Sequence, residues 1–162
     1  MQRNLKSELS FNFSNASVVM IDSSTICLEV LTGILSGCGF RKMYRCADLR
    51  AGGDIIKTHS LDLILLDPYA YGEEGYDLVR WLRSEKRTPN SAASIVFVTG
   101  YTRVRLISAA RQCGADYVIA KPFSTSGLIE RILYVAGSEG RRGELLAPAE
   151  LVSSSGSGVE MW

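Results

Sequence analysis

Four polar side chains stand where short apolar runs end. Asp22 follows Val18 to Ile21, Asp67 follows Leu63 to Leu66, Thr99 follows Ile95 to Val98, and Lys121 follows Tyr117 to Ala120. In a parallel sheet the carboxyl ends of the strands are where sites are built, so this order places two carboxylates, a hydroxyl and an ammonium on one edge. That set suits phosphoryl chemistry on an aspartate. A carboxylate is a poor nucleophile toward a phosphoryl group unless a cation neutralises the oxygens of both partners, which gives Asp67 a need for company. Asp22 beside it, with the main-chain carbonyl of Tyr69, would offer the oxygen ligands that Mg²⁺ prefers. Lys121 would pair with phosphoryl oxygens as a point charge, while the Thr99 hydroxyl and the Gly100 amide would donate hydrogen bonds to the transferred group. Taken singly, each has a plainer reading, since Asp and Thr cap and turn chains wherever a strand becomes a loop. The combination and its order carry the argument.

These residues need a scaffold of alternating elements. The four runs are almost continuously apolar, as expected of parallel strands covered on both faces, and they read as the central strands. Arg41 to Cys46 mixes charge with apolar side chains and reads as an edge strand. Between the strands, Cys27, Val30, Leu31, Ile34, Leu35 and Cys38 form one helical stripe, with Gly39-Phe40 as a stop. Further helical patterns lie around 47–57, 74–86, 103–113 and 124–136, with Thr102 and Ser124 as caps. Leu128, Ile129, Ile132, Leu133 and Ala136 make the last helix an inward-facing one. Five βα units joined by right-handed crossovers give an α/β, doubly wound parallel sheet with helices on both faces.

A chain of 162 residues with 46% hydrophobic and 22% charged content fits one soluble globular domain. The domain is expected over residues 16–136, with flexible extensions at 1–15 and at 137–162, where Gly, Ser and charge dilute the apolar content. A net charge of +1 argues against bulk electrostatic binding to nucleic acid or membrane. No apolar stretch reaches transmembrane length, and the polar N-terminal segment does not read as a secretion signal, so the cytoplasm is the expected location. Four cysteines without CxxC spacing read as packed, reduced thiols, and His59, the single histidine, as a solvated loop residue.

The chain resembles the receiver domain of bacterial two-component response regulators. The resemblance runs from about Ala16 to Ala136 and rests on VVMID ending in Asp22, LDLILLD ending in Asp67, Gly75 eight positions later, VFVTG containing Thr99, and AKPF containing Lys121. It implies a flavodoxin-like five-stranded sheet of order 2-1-3-4-5 and a cis Lys121-Pro122 peptide. It also implies that Asp67 accepts a phosphoryl group from a kinase or phosphotransfer-protein phosphohistidine with Mg²⁺ as cofactor, and that Thr99 and Lys121 detect it. The result is a self-catalysed switch, not a turnover enzyme. Its output partner would be a protein docked on the locally basic 99–131 face, where Arg103, Arg105, Arg111, Lys121 and Arg131 outnumber Asp116 and Glu130.

Four positions depart from the family pattern. Ser23 replaces the second acid after the first strand, which should weaken Mg²⁺ binding. Ala70-Tyr71 replaces the usual Met-Pro after the acceptor, and Tyr69 and Tyr71 either shield an acyl phosphate or pack on the following helix. Val118 occupies the place of the usual switch aromatic, three residues before the lysine. Tyr117 lies one position earlier, and strand alternation points neighbours to opposite faces. Tyr101 stands two residues after Thr99.

Three other readings compete. A pseudo-receiver would keep the fold and bind partners without phosphorylation. A flavodoxin-like cofactor protein would cradle a phosphate at Ser23-Ser24-Thr25, beside a repelling Asp22. A phosphatase with Asp22 as nucleophile would lack its paired acid, since Ser24 stands there.

Overall fold

The computed structural model of the chain describes residues 13–85 and 88–136. Five strands, β1 (Ser17–Ile21), β2 (Lys42–Cys46), β3 (Leu63–Leu66), β4 (Ser94–Thr99) and β5 (Tyr117–Ala120), form one parallel sheet in the order β2-β1-β3-β4-β5. The helices are α1 (Thr25–Gly37), α2 (Leu49–Thr58), α3 (Glu73–Ser84), α4 (Val104–Cys113) and α5 (Thr125–Ala136), with 3₁₀ turns at Pro68–Tyr71 and Pro89–Ala92. The expected doubly wound α/β fold and its strand order are therefore observed.

Every residue of β1, β3 and β5 is buried, which explains their unbroken apolar composition. β2 leaves Lys42 and Arg45 exposed, as an edge strand should. β5, however, is the opposite edge and not a central strand; its side chains are buried because α4 and α5 both pack on it.

The strand register sorts the side chains by face. Met20, Leu65, Val96 and Tyr117 align on one side, where Thr32 of α1 approaches Met20 and Arg131 of α5 covers Tyr117. Ile21, Leu66, Phe97 and Val118 align on the other, where Gly52 of α2 meets Ile21 and Tyr76 of α3 meets Phe97 edge-on.

Helix details refine the periodicity. In α1 the buried positions are Leu28, Leu31 and Leu35, while Val30, expected in the stripe, is 47% exposed. Leu28, Leu31 and Leu35 share one face at i, i+3 and i+7, and the helix starts at Thr25, capped by the Ser24 hydroxyl accepting from the Cys27 amide. Ser124 caps the last helix as expected, accepting from the Gly127 amide at 3.0 Å. Thr102 does not cap α4; Arg103 occupies that position without a side-chain cap bond. Leu128, Ile132 and Val135 make the buried stripe of α5.

The folded region begins earlier than residue 16, because Phe13 is buried and its ring stacks on Phe40 at 4.5 Å. Residues 1–12 of the extension expected at 1–15, and the whole of that expected at 137–162, lie outside the described residues.

Buried Asn90 and half-buried Arg83 tie neighbouring loops together. Asn90 accepts from the Leu61 amide and donates to the carbonyls of Ile56 and His59. Arg83 donates to the carbonyls of Gly114, Ser91 and Ala93 and pairs with buried Asp116 at 2.9 Å.

Candidate functional site

The sheet ladder continues one step past the strands and fixes the site backbone. The Asp22 amide donates to the Cys46 carbonyl, Asp67 to Ile21, and Lys121 to Thr99, at 3.1, 3.0 and 2.9 Å. Asp22, Asp67 and Lys121 thus leave strands β1, β3 and β5 at the same end of the sheet, with Thr99 closing β4 between the last two. The Lys121-Pro122 peptide is cis, as the resemblance implied.

The side chains converge. Lys121 Nζ donates to Asp22 Oδ2 at 2.6 Å and to Asp67 Oδ2 at 2.9 Å. The other oxygens take main-chain donors, Ser24 N to Asp22 Oδ1 at 2.8 Å and Tyr69 N to Asp67 Oδ1 at 3.1 Å. Asp22 is buried, while the Asp67 side chain retains 13% exposure and so is the carboxylate that an incoming group can reach. Burial alone would lower the Lys121 pKa, but the hydrogen bonds it donates to Asp22 and Asp67 and the charge of Asp67 outweigh it and hold the ammonium above its ordinary range.

Thr99 is buried, and its hydroxyl accepts from the Tyr101 amide at 3.2 Å. Gly100 is exposed, and a Cβ there would meet nothing within 4 Å, so no close approach requires glycine at this position. Gly75 differs: a Cβ there would stand 2.9 Å from the Pro68 carbonyl oxygen, so glycine lets α3 press on the loop that carries Tyr69.

Two features escaped the sequence reading. Cys27, assigned to a packing stripe, lies within reach of both Asp22 and Lys121; burial pushes its thiol up to about 11, with Lys121 pulling down and Asp22 pushing up. Its place in the first turn of α1, five residues after Asp22, was the available signal. The rings of Tyr69 and Tyr101 stack at 3.6 Å and 11°, outside the pocket. Each tyrosine stands two residues past a site residue, Asp67 or Thr99, which was the signal there. Tyr71 packs partly, and its hydroxyl donates to the Ala47 carbonyl at 3.1 Å. All four cysteines are free thiols.

The donor set is hard and all-oxygen: two carboxylates and the Tyr69 carbonyl, which accepts a 3.5 Å turn bond from the Gly72 amide. It fits Mg²⁺ in type. It is sparse in charge, since Ser23 is exposed and neutral and no group of three or more acids, cysteines or histidines converges among the described residues.

The sequence matches the family model described as the response regulator receiver domain over residues 18–133. The chain belongs to this family. A response regulator from Thermotoga maritima shares the fold with a TM-score of 0.67 and 26% identity, over 76% of this chain and 99% of that one. Among curated proteins, the transcriptional regulatory protein GltR of Pseudomonas aeruginosa is 30% identical over 118 residues, 72% of this chain and 47% of that protein. The DNA-binding response regulator MtrA of Mycobacterium tuberculosis is 30% identical over 121 residues, 71% and 48%. The receiver chain spans about half the length of these relatives.

Within the receiver, Tyr117 faces α1 and α5 while Thr99, two residues from Phe97, lies on the opposite face with Val118. Tyr117 is held there by Arg131, 5.6 Å above its ring, and by Tyr134 edge-on at 6.4 Å. Of the charges on the 99–131 face, Arg103, Arg105, Arg111 and Glu130 are exposed, while Asp116 is buried against Arg83, Lys121 is paired inside the pocket and Arg131 lies over Tyr117, so three exposed arginines against one glutamate keep that surface basic. No helix among the described residues is long and apolar enough to cross a membrane.

Proposed function

We propose that this receiver accepts a phosphoryl group on Asp67 from the phosphohistidine of a kinase or phosphotransfer protein, and that the modification changes binding to a downstream protein. The observation that carries the reading is the Lys121 ammonium bridging Asp22 and Asp67 at 2.6 and 2.9 Å, beside the only one of the two carboxylates with appreciable exposure. In the transfer an Asp67 carboxylate oxygen forms the new O–P bond, the N–P bond of the donor breaks, and the imidazole leaves with its electron pair. Lys121 would pair with phosphoryl oxygens, and Thr99 and the Gly100 amide would donate to them. Asp22, Asp67 and the Tyr69 carbonyl would hold Mg²⁺, which when bound neutralises charge on the reacting oxygens. The phosphoryl group adds nearly two negative charges at the pocket and biases an existing equilibrium of loop and helix. The basic surface of Arg103, Arg105 and Arg111 suits an acidic protein partner, the near-neutral charge gives no bulk attraction to nucleic acid, and a cytoplasmic setting is the natural one for such a relay. Incubation with phosphoramidate, whose P–N bond resembles that of phosphohistidine, tests the reading. Intact-mass gain of one phosphoryl group in the wild type and none in Asp67→Asn supports it; equal gain in both refutes Asp67 as the acceptor.

A second reading is favoured by Ser23 and by the placement of Tyr117 away from Thr99: a pseudo-receiver that binds its partner without modification. In that case Asp67→Asn leaves partner binding in cells unchanged.

A further inference from the structure

Two main-chain amides anchor the same aromatic pair to the two halves of the pocket. The Tyr69 amide donates to Asp67 Oδ1 at 3.1 Å, the Tyr101 amide donates to Thr99 Oγ1 at 3.2 Å, and the two rings lie face to face 3.6 Å apart. Tyr69 and Tyr101 remain 50% and 44% exposed, so the stack is not core packing; it spans the loops after β3 and β4 on the outside of the site. No other aromatic pairing links these loops in the described residues. Val118 shares the face of Thr99 but has no ring, and Tyr117 is pinned on the far face by Arg131 and Tyr134. Beyond Tyr101 the chain enters α4 at Arg103 without a side-chain cap, and Val104 is 71% exposed, so little holds the first turn of that helix in place.

We propose that the Tyr69–Tyr101 stack is the relay that carries the state of Asp67 to the exposed start of α4. The proposal rests on the reading of Asp67 as acceptor. Conversion of the Asp67 carboxylate to an acyl phosphate moves negative charge from the oxygen that holds the Tyr69 amide onto the phosphoryl group. The Thr99 hydroxyl, turning to donate to that group, changes its bond to the Tyr101 amide. Both anchors of the stack alter together, so the rings lose their register and residues 100–104 move with Tyr101. The coupling is reciprocal: whatever fixes Tyr101 in its new place also favours the modified Asp67.

The test is NMR of the full chain labelled with ¹³C-tyrosine, the ring signals assigned by single Tyr→Phe substitutions. In the unmodified protein Thr99→Val should shift the ring signals of Tyr69 as well as Tyr101, although Tyr69 sits on the other loop, while Thr99→Ser preserves them and Tyr117 stays constant. Thr99→Ala replaces Thr99→Val if the latter unfolds. Tyr69 signals identical to wild type in the hydroxyl-less variant would overturn the relay. Acetyl phosphate with Mg²⁺ is then added and phosphoryl gain read by intact mass. Gain with displaced Tyr69 and Tyr101 signals supports the relay, and gain with both unchanged overturns it. Absence of gain counts against the acceptor reading alone, and the Thr99 variants then decide the relay.

Discussion

Lys121 Nζ stands 2.9 Å from Asp67 Oδ2, although 54 positions separate the two residues. The same ammonium holds Asp22 at 2.6 Å, so a single cation neutralises part of the repulsion between two carboxylates that the fold forces together.

Loss of that cation should be felt as stability with a defined pH dependence. Lys121→Met leaves both carboxylates without their ion-pair partner and should cost about 1–3 kcal/mol at neutral pH, read from urea unfolding. Because the folded-state pKa of Lys121 lies above its ordinary value, this stabilisation is complete below about pH 10.4 and is lost as pH rises through the folded value. The gap between wild type and Lys121→Met should therefore be constant from pH 7 to 9 and shrink above pH 11. A gap that widens with alkalinity would contradict the charge pairing.

Arg83 should matter to the fold and not to the pocket. It stands in the last turn of α3, paired with buried Asp116 and donating to three carbonyls of neighbouring loops. Arg83→Met leaves a buried carboxylate without that ion pair and should cost about 3–5 kcal/mol in urea unfolding, with an unchanged m-value.

Gly75→Ala places a methyl group 2.9 Å from the Pro68 carbonyl oxygen, where backbone must give way. A loss of about 1–3 kcal/mol is expected, together with displaced amide signals at Tyr69, Ala70 and Tyr71 in a heteronuclear spectrum, since that loop is what the methyl pushes.

Thiol chemistry should be nearly silent in the folded protein. Cys38, Cys46 and Cys113 are buried, and half-buried Cys27 has its thiol pushed up to about 11, leaving little thiolate at pH 8. Labelling by an aromatic disulfide reagent at pH 8 should be slow until urea is added, after which all four cysteines react.

Much of the fold was legible because the strands advertise themselves: Leu63–Leu66 and Tyr117–Ala120 are apolar at every position, and Asp67 and Lys121 follow them directly. Whether such a run is central or an edge is not, since helices on both sides bury β5 as completely as neighbouring strands would. Leu28 and Val30 are both apolar, so composition does not say which of them meets the sheet, and a hydroxyl two positions away from a helix, as at Thr102, is a cap only if the backbone enters the helix there. Spacing brought Asp22, Asp67, Thr99 and Lys121 to one edge, yet the aromatic stack is a contact between two loops, and periodicity carries no information about loop conformation. Ser23 was visible as a missing charge, and among the described residues no third acid joins Asp22 and Asp67 in its place.

The central claim is that Asp67 is a phosphoryl acceptor whose efficiency is limited by that missing charge. Intact mass after incubation with acetyl phosphate and Mg²⁺, for wild type beside Asp67→Asn and Ser23→Asp, tests it most directly. The account predicts gain of one phosphoryl group in the wild type, none in Asp67→Asn, and a greater fraction modified at lower Mg²⁺ in Ser23→Asp. No gain in the wild type while Ser23→Asp is modified, or gain that survives Asp67→Asn, would contradict it.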